Sequence, residues 1–148
     1  MSNLKEKRMG MIQTNRLYLK TKGKNEIHDI SEKVQSLVTE SGLKEGHVLC
    51  FISGSTASLT TVEFEPGLIK DIPEALETMA PMGKTYHHDD TWHDGNGYAH
   101  VRAALLGPSL MVPFSNSKLM LGTWQQIVLI DFDNKSRERV VIVQVNGE

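Results

Sequence analysis

Between Tyr86 and His100 the chain reads Tyr-His-His-Asp-Asp-Thr-Trp-His-Asp-Gly-Asn-Gly-Tyr-Ala-His, a segment that holds four of the six histidines. Imidazole and carboxylate are the usual ligands of divalent metals and the usual proton carriers near neutral pH. His88, His93 and His100 are spaced so that a folded segment can bring them around one ion, and Asp89, Asp90 and Asp94 add hard oxygen donors. Nitrogen ligands mixed with oxygen suit Zn²⁺, Mn²⁺ or Mg²⁺, so the expected cofactor is a divalent metal. His87 and His88 are neighbours and point differently, so one of them faces the site. The plainer reading is a polar loop that caps sheet ends with side-chain hydrogen bonds. Reactive residues concentrate on loops, which favours the metal or direct catalysis.

Other groups add to this set. Asp94-Gly95-Asn96-Gly97 is a tight turn by composition, and Asn96 can also present its amide to a ligand. Gly54-Ser55-Thr56-Ala57-Ser58 offers small hydroxyls and free N–H groups to an anion, without the spacing or lysine of a P-loop. Glu63 and Glu65 share a strand face, as ligands or bases, or as solvent-facing acids. Arg102 follows the histidines and can grip phosphate or form a surface ion pair. Gln125, beside Trp124, lines a pocket or an interface, and Trp124 itself reads as core.

The 148 residues suit one domain spanning 1–148, and 39% hydrophobic content is enough for a core. The formal charge of -2, with no long basic block, argues against nucleic acid and against an anionic membrane. Cys50 is the single cysteine, so no internal disulfide forms; its apolar surroundings predict a buried thiol and a reducing, cytoplasmic setting. The N-terminus, Met-Ser-Asn-Leu-Lys-Glu-Lys-Arg, carries no apolar stretch behind it, which argues against a signal peptide.

The elements that must position these groups follow from periodicity. Met9 to Thr21 reads as a strand, broken near Thr14-Asn15. A helix opens at Asp29 or Ser31, with Glu32 completing a capping box, and stops at Gly42. His47 to Ser53 and Ala57 to Phe64 are strands, and Pro66-Gly67 is a turn. Leu68 to Ala80 is a second helix, kinked or reopened at Pro73. A polar loop follows; Ala99 to Leu106 fits helix or strand. Ser109 to Phe114 and Leu119 to Phe132 flank a hairpin turn, the latter bent at Gly122, and Arg139 to Val145 closes the domain. The fold class is α+β, a mainly antiparallel sheet or sandwich with two principal helices.

Several of these strings occur together in a known pattern. Gly-Ser-Thr-Ala at 54–57, Glu-Phe-Glu-Pro-Gly-Leu at 63–68, Trp-His-Asp-Gly-Asn-Gly at 92–97, His-Val-Arg-Ala-Ala-Leu-Leu-Gly-Pro-Ser-Leu at 100–110 and Leu-Gly-Thr-Trp-Gln-Gln-Ile at 121–127 resemble the YjbQ-like family. That family is named for a secondary thiamine-phosphate synthase activity. The resemblance implies a compact α+β homotrimer with sites near subunit boundaries, acting on a small phosphorylated metabolite. It implies a transferase that joins a pyrimidine methyl diphosphate to a thiazole phosphate and expels pyrophosphate. On that reading His88 and His100, with Asp94, hold a metal or donate to the diphosphate. Ser55, Thr56 and Arg102 grip a phosphate, Glu63 places the aminopyrimidine or the metal, and Trp124 offers an apolar wall. Asn96 and Gln125 also fall in matching motifs. The family pattern has a histidine in His-Thr-Thr-Ala where this chain has Gly54; His93 stands as its replacement. Two competing readings remain open: a non-catalytic trimer that binds a metal or phosphometabolite, and a metal-assisted phosphate-ester hydrolase.

Overall fold

The computed structural model describes residues 10–148; Met9 and the N-terminal segment read above for a leader lie outside them. The elements run β1 (Met11–Thr21), β2 (Glu26–Asp29), α1 (Ser31–Ser41), β3 (Glu45–Ile52), β4 (Ala57–Val62), α2 (Pro66–Met79), α3 (His87–Trp92), α4 (Gly97–Leu106), β5 (Ser109–Ser115), β6 (Lys118–Leu119), β7 (Gln126–Asp131) and β8 (Arg137–Gly147). The strands form two antiparallel sheets, ordered β1-β8-β3-β5-β6 and β2-β7-β4. The expected α+β class is the one found.

β7 explains the layering. Its Ile127 to Ile130 run is apolar without a break, and a strand sends alternate side chains to opposite faces. Ile127 and Leu129 join a core with Val48, Ile52, Val141, Val143 and Val145 of the larger sheet and Val34 and Val38 of α1. Val128 and Ile130, with Phe132, join a second core with Leu76 of α2 and Tyr98, Ala99 and Ala103 of α4. The small sheet therefore lies between the large sheet and the helices α2 and α4. Cys50 is buried in the first core, and burial pushes its thiol up to about 12, which makes it unreactive.

The structure departs from the sequence expectations at several points. β1 runs unbroken through Thr14 and Asn15, which pair with Gln144 and Val143. No capping box forms at α1: Asp29 accepts from the Ser31 N–H at 2.9 Å, and the Ser31 hydroxyl instead accepts from Ile127 N–H at 2.8 Å, tying α1 to β7. Gly42 does end α1, in the left-handed conformation at φ 74°. Pro66 and Gly67 do not turn the chain but start α2. Pro66 needs no N–H at the first helical position, and the Glu65 carboxylate accepts from the N–H groups of Gly67 and Leu68. Pro73 lies inside a helix that continues to Met79. The expected long strand 119–132 is two strands in different sheets. Residues 120–125 cross between them through a turn closed by Gln125 N–H on Gly122 O at 3.0 Å. The polar loop after α2 is largely helical, as α3 and the start of α4.

Leu129→Ala should destabilise the protein by about 2–5 kcal/mol, because the small sheet is packed on both faces and cannot collapse around the void. A shift of the urea midpoint at unchanged slope is the expected result in chemical denaturation.

Candidate functional site

A cavity of about 390 Å³ opens where three connections meet: Gly54, Ser55 and Thr56 between β3 and β4; His88, Trp92, Asp94, Asn96 and His100 from α3 to α4; and Arg137 and Arg139 at the start of β8. The size is in the range of small-molecule sites.

Local sequence shapes the histidine wall. α3 ends at His93, which adopts φ 55° and reverses the chain. The Asp89 carboxylate then accepts from Gly97 N–H at 3.0 Å and joins α3 to the start of α4. Gly97 is required there by space, since a Cβ would lie 2.5 Å from Tyr86 Cβ. The result sets the His88 and His100 rings 4.1 Å apart, centroid to centroid, and His88 Nε2 3.6 Å from Asp94 Oδ1. His88, Asp89 and Asp94 each offer a ligand atom within 4.8 Å of the others. Burial, and then the neighbouring His88, lower the pKa of His100. Its imidazole is therefore held neutral, with a lone pair to give.

Asn96 is buried, and its amide nitrogen donates to Asp94 Oδ1 at 2.9 Å, Asp94 Oδ2 at 3.2 Å and His88 Nε2 at 3.2 Å, which fixes these two side chains relative to each other. His88, Asp89 and Asp94 are the groups that could hold a cation. A nitrogen ligand with several oxygens fits Mn²⁺ or Zn²⁺ better than Mg²⁺, which takes oxygen and water.

Beneath this wall lies a buried ionic network. Arg139 donates from Nε and Nη2 to the Asp131 carboxylate at 2.6 and 2.7 Å, and from Nη2 to Thr56 Oγ1 at 2.7 Å. The Thr56 hydroxyl donates to Asp133 Oδ2 at 3.0 Å, and Arg137 Nε donates to the same oxygen at 2.8 Å. Burial alone would push both carboxyls up. Hydrogen bonds from Arg139, Thr21 and the Asp133 N–H, with the Arg139 charge, outweigh it at Asp131 and hold that carboxyl below its usual range. Hydrogen bonds from Arg137, Thr56 and the Asn134 N–H, with the Arg137 charge, do the same at Asp133.

The structure brings together His88, Asp94, Asn96, His100, Ser55 and Thr56, all foreseen as site residues. It places the others elsewhere. His93 is the exposed end of α3 and does not line the cavity, so it does not take the place of the family histidine. Arg102 is fully buried away from the cavity; each of its three nitrogens donates within the fold, to Ala80 O, Asn25 Oδ1 and Glu77 Oε2, joining α4 to α2, so it does not reach a phosphate there. Glu63 follows β4 and is exposed outside the cavity, and Glu65 is spent on capping α2. Gln125 holds its own turn and donates to Thr61 Oγ1 at 3.0 Å. Trp124 is neither core nor cavity wall, being 70% exposed; Trp92 stands at the cavity instead. Arg137, Arg139, Asp131 and Asp133 escaped the sequence reading. Their signal was the period-two spacing of both pairs at facing strand ends, Asp-Phe-Asp and Arg-Glu-Arg.

Comparison with known proteins agrees with this geometry. A family model described as UPF0047 protein YjbQ-like matches residues 15–148. A UPF0047 protein of Archaeoglobus fulgidus is 41% identical over 126 residues, covering 85% of this chain and 96% of its own. The crystal structure of a YbjQ-like protein from Sulfolobus solfataricus superposes with a TM-score of 0.89 at 32% identity, covering 95% of this chain and 100% of that one. That of a yjbq/upf0047 family protein from Clostridium acetobutylicum gives 0.79 at 35% identity, with 87% and 97% covered.

Carboxylates with depressed folded-state pKa values add stability that is complete above their unfolded value, about 3.9, and that disappears as pH falls through the folded value. Thermal stability should therefore drop below about pH 4. Arg139→Met should cost roughly 3–5 kcal/mol at pH 7, because it strands a buried Asp131 charge. Its melting temperature should recover partly toward pH 5 as that carboxyl takes a proton, the reverse of the parent protein's trend in a calorimetric pH series.

Proposed function

This chain belongs to the UPF0047 YjbQ-like family, and from that premise we propose that the cavity is a metal-assisted transferase site for a small phosphorylated metabolite. The specific reaction is of the thiamine-phosphate synthase kind. The observation that carries the reading is the convergence of ligand atoms from His88, Asp89 and Asp94 beside the cavity. A divalent ion bound there supplies positive charge for a departing diphosphate.

The chain's own residues supply the rest. The thiazole nitrogen attacks the methylene carbon of the pyrimidine methyl diphosphate; a C–N bond forms, the C–O bond breaks, and pyrophosphate leaves with the electron pair. His88, Asp89 and Asp94 fix the metal position. The amide of Asn96 orients His88 and Asp94. His100, kept neutral beside His88, would be a further ligand to the ion that His88, Asp89 and Asp94 would hold. Trp92 gives the mouth a flat surface on which a heteroaromatic ring stacks. A neutral imidazole near a metal also serves water activation. Release of inorganic phosphate without precursor coupling would therefore point to the hydrolase, and binding without turnover to a non-catalytic metal or metabolite carrier.

A homotrimer is part of the same proposal. Met111 and Met120, 59% and 62% exposed, stand along a groove that also contains Leu110, Leu121 and Pro113. Such apolar surface is better covered than solvated. Light scattering should give three times the mass of one chain; a monomer at micromolar concentration would refute it.

His88→Ala and Asp94→Ala should lose the metal recovered in elemental analysis and abolish coupling of the two thiamine precursors. Asn96→Ala should weaken metal binding about 10–100-fold. His93→Ala should leave both unchanged, since His93 lies outside the cavity. Turnover retained in His88→Ala protein would defeat the assignment.

A further inference from the structure

The wall opposite the histidines holds a cation with an unspent donor. Arg139 is 6% exposed, and its Nε and Nη2 are committed to Asp131 and Thr56. Its Nη1 has no hydrogen-bond partner among the described residues, yet it is not among the buried unpaired atoms; it opens on the cavity that Arg139 lines. It lies beside Gly54, where a Cβ would stand 3.1 Å away. Arg137 shares that face of β8 two residues earlier and spends Nε on Asp133, and its terminal nitrogens have no hydrogen-bond partner among the described residues. Ser55 projects from the same rim. A guanidinium locked in place by a carboxylate, with a free edge facing a cavity, is preorganised for a phosphate oxygen.

The charges set a condition on that binding. Asp131 and Asp133 cancel Arg139 and Arg137. Asp89 and Asp94 remain on the histidine wall without a paired Lys or Arg among the described residues. A bare anion meets a surplus of negative charge. A divalent cation among His88, Asp89 and Asp94 removes it.

Building on the metal reading above, we propose that Arg139, supported by Arg137 and Ser55, is the phosphate-recognition subsite of this cavity. It takes a phosphoryl group together with a divalent cation on the facing wall. The two ligands then strengthen each other by one common factor, as linkage requires. Gly54 keeps the approach to Nη1 open.

Calorimetric titration of the whole chain tests this, with inorganic phosphate added with and without Mn²⁺, and Mn²⁺ added with and without phosphate. Each ligand should tighten the other by about tenfold or more. Arg139→Lys and Gly54→Ala should weaken phosphate about tenfold, the loss of one charge-assisted hydrogen bond. Gly54→Ala should leave Mn²⁺ affinity in phosphate-free buffer within about twofold, because it lies outside the cation's ligand set and keeps the Asp131–Arg139 pair. Circular dichroism checks that each variant is folded; Gly54→Ala removes no charge and keeps the ion pair, so it remains informative if Arg139→Lys unfolds. Phosphate bound equally well by folded Gly54→Ala and Arg139→Lys, or not bound even with Mn²⁺, overturns the inference, as does phosphate binding indifferent to Mn²⁺. Coupled binding of Mn²⁺ and phosphate in a protein that fails to join the thiamine precursors would refute the proposed reaction and leave this subsite standing.

Discussion

The buried pair of Asp131 and Arg139 is the constraint on which the site depends. Asp131 ends β7, the strand packed on both faces, and Arg139 opens the exposed-to-buried run of β8 in the other sheet. Their two-point contact pins the two sheets together at the end where the cavity opens. Desolvating both charges costs several kcal/mol per ion, and the paired geometry with its added hydrogen bonds offsets that cost. An apolar pair of the same volume could serve stability as well. What it could not do is fix Thr56, Asp133 and Arg137 relative to one another: Thr56 accepts from Arg139, the Asp133 N–H donates to Asp131, and Arg137 is held in turn by Asp133. The network's value is positional.

Asn96 carries that order across to the histidines. It is buried between Asp133 on the network side and Asp94 with His88 on the cavity side. Its amide nitrogen donates to both Asp94 and His88, so one buried side chain sets the spacing of the two.

The sequence disclosed the parts of this arrangement that local chemistry decides. Density of His and Asp between 86 and 100 located one wall, and the Gly-Ser-Thr string located the rim. Alternation found β8, and the left-handed stop at Gly42 followed from residue type. Long-range pairing was the hidden part. Arg102 and Arg139 carry identical chemistry, and only the fold sends the first behind α2 and the second to the cavity floor. Trp92 rather than Trp124 reaches the cavity for the same reason. The strand expected across 119–132 failed because an apolar run looks continuous whether or not it changes sheets. The helical character of α3 was missed because His, Asp, Thr and Trp have weak helix propensity; the bond from Gly97 N–H to Asp89 and the turn at His93 form it.

The elements that bear the site differ in how firmly they are held. Thr56, Arg139 and Asn96 stand on segments packed against the cores, with neighbouring backbone already paired in sheets or helix. α3 has no fully buried residue, yet it carries His88 and Asp89. A helix of six residues gains too little from its own hydrogen bonds to persist alone. Its order comes from Asp89 on Gly97 N–H and from the contact of Gly97 with Tyr86. A ligand that bridges His88, Asp89 and Asp94 adds a third tie between α3 and the turn that follows. Part of its binding energy is then spent on fixing α3, and the affinity seen from outside is lower than the contacts alone would give. The wall built on the two cores is the fixed one, and α3 is the one whose order rests on two local contacts.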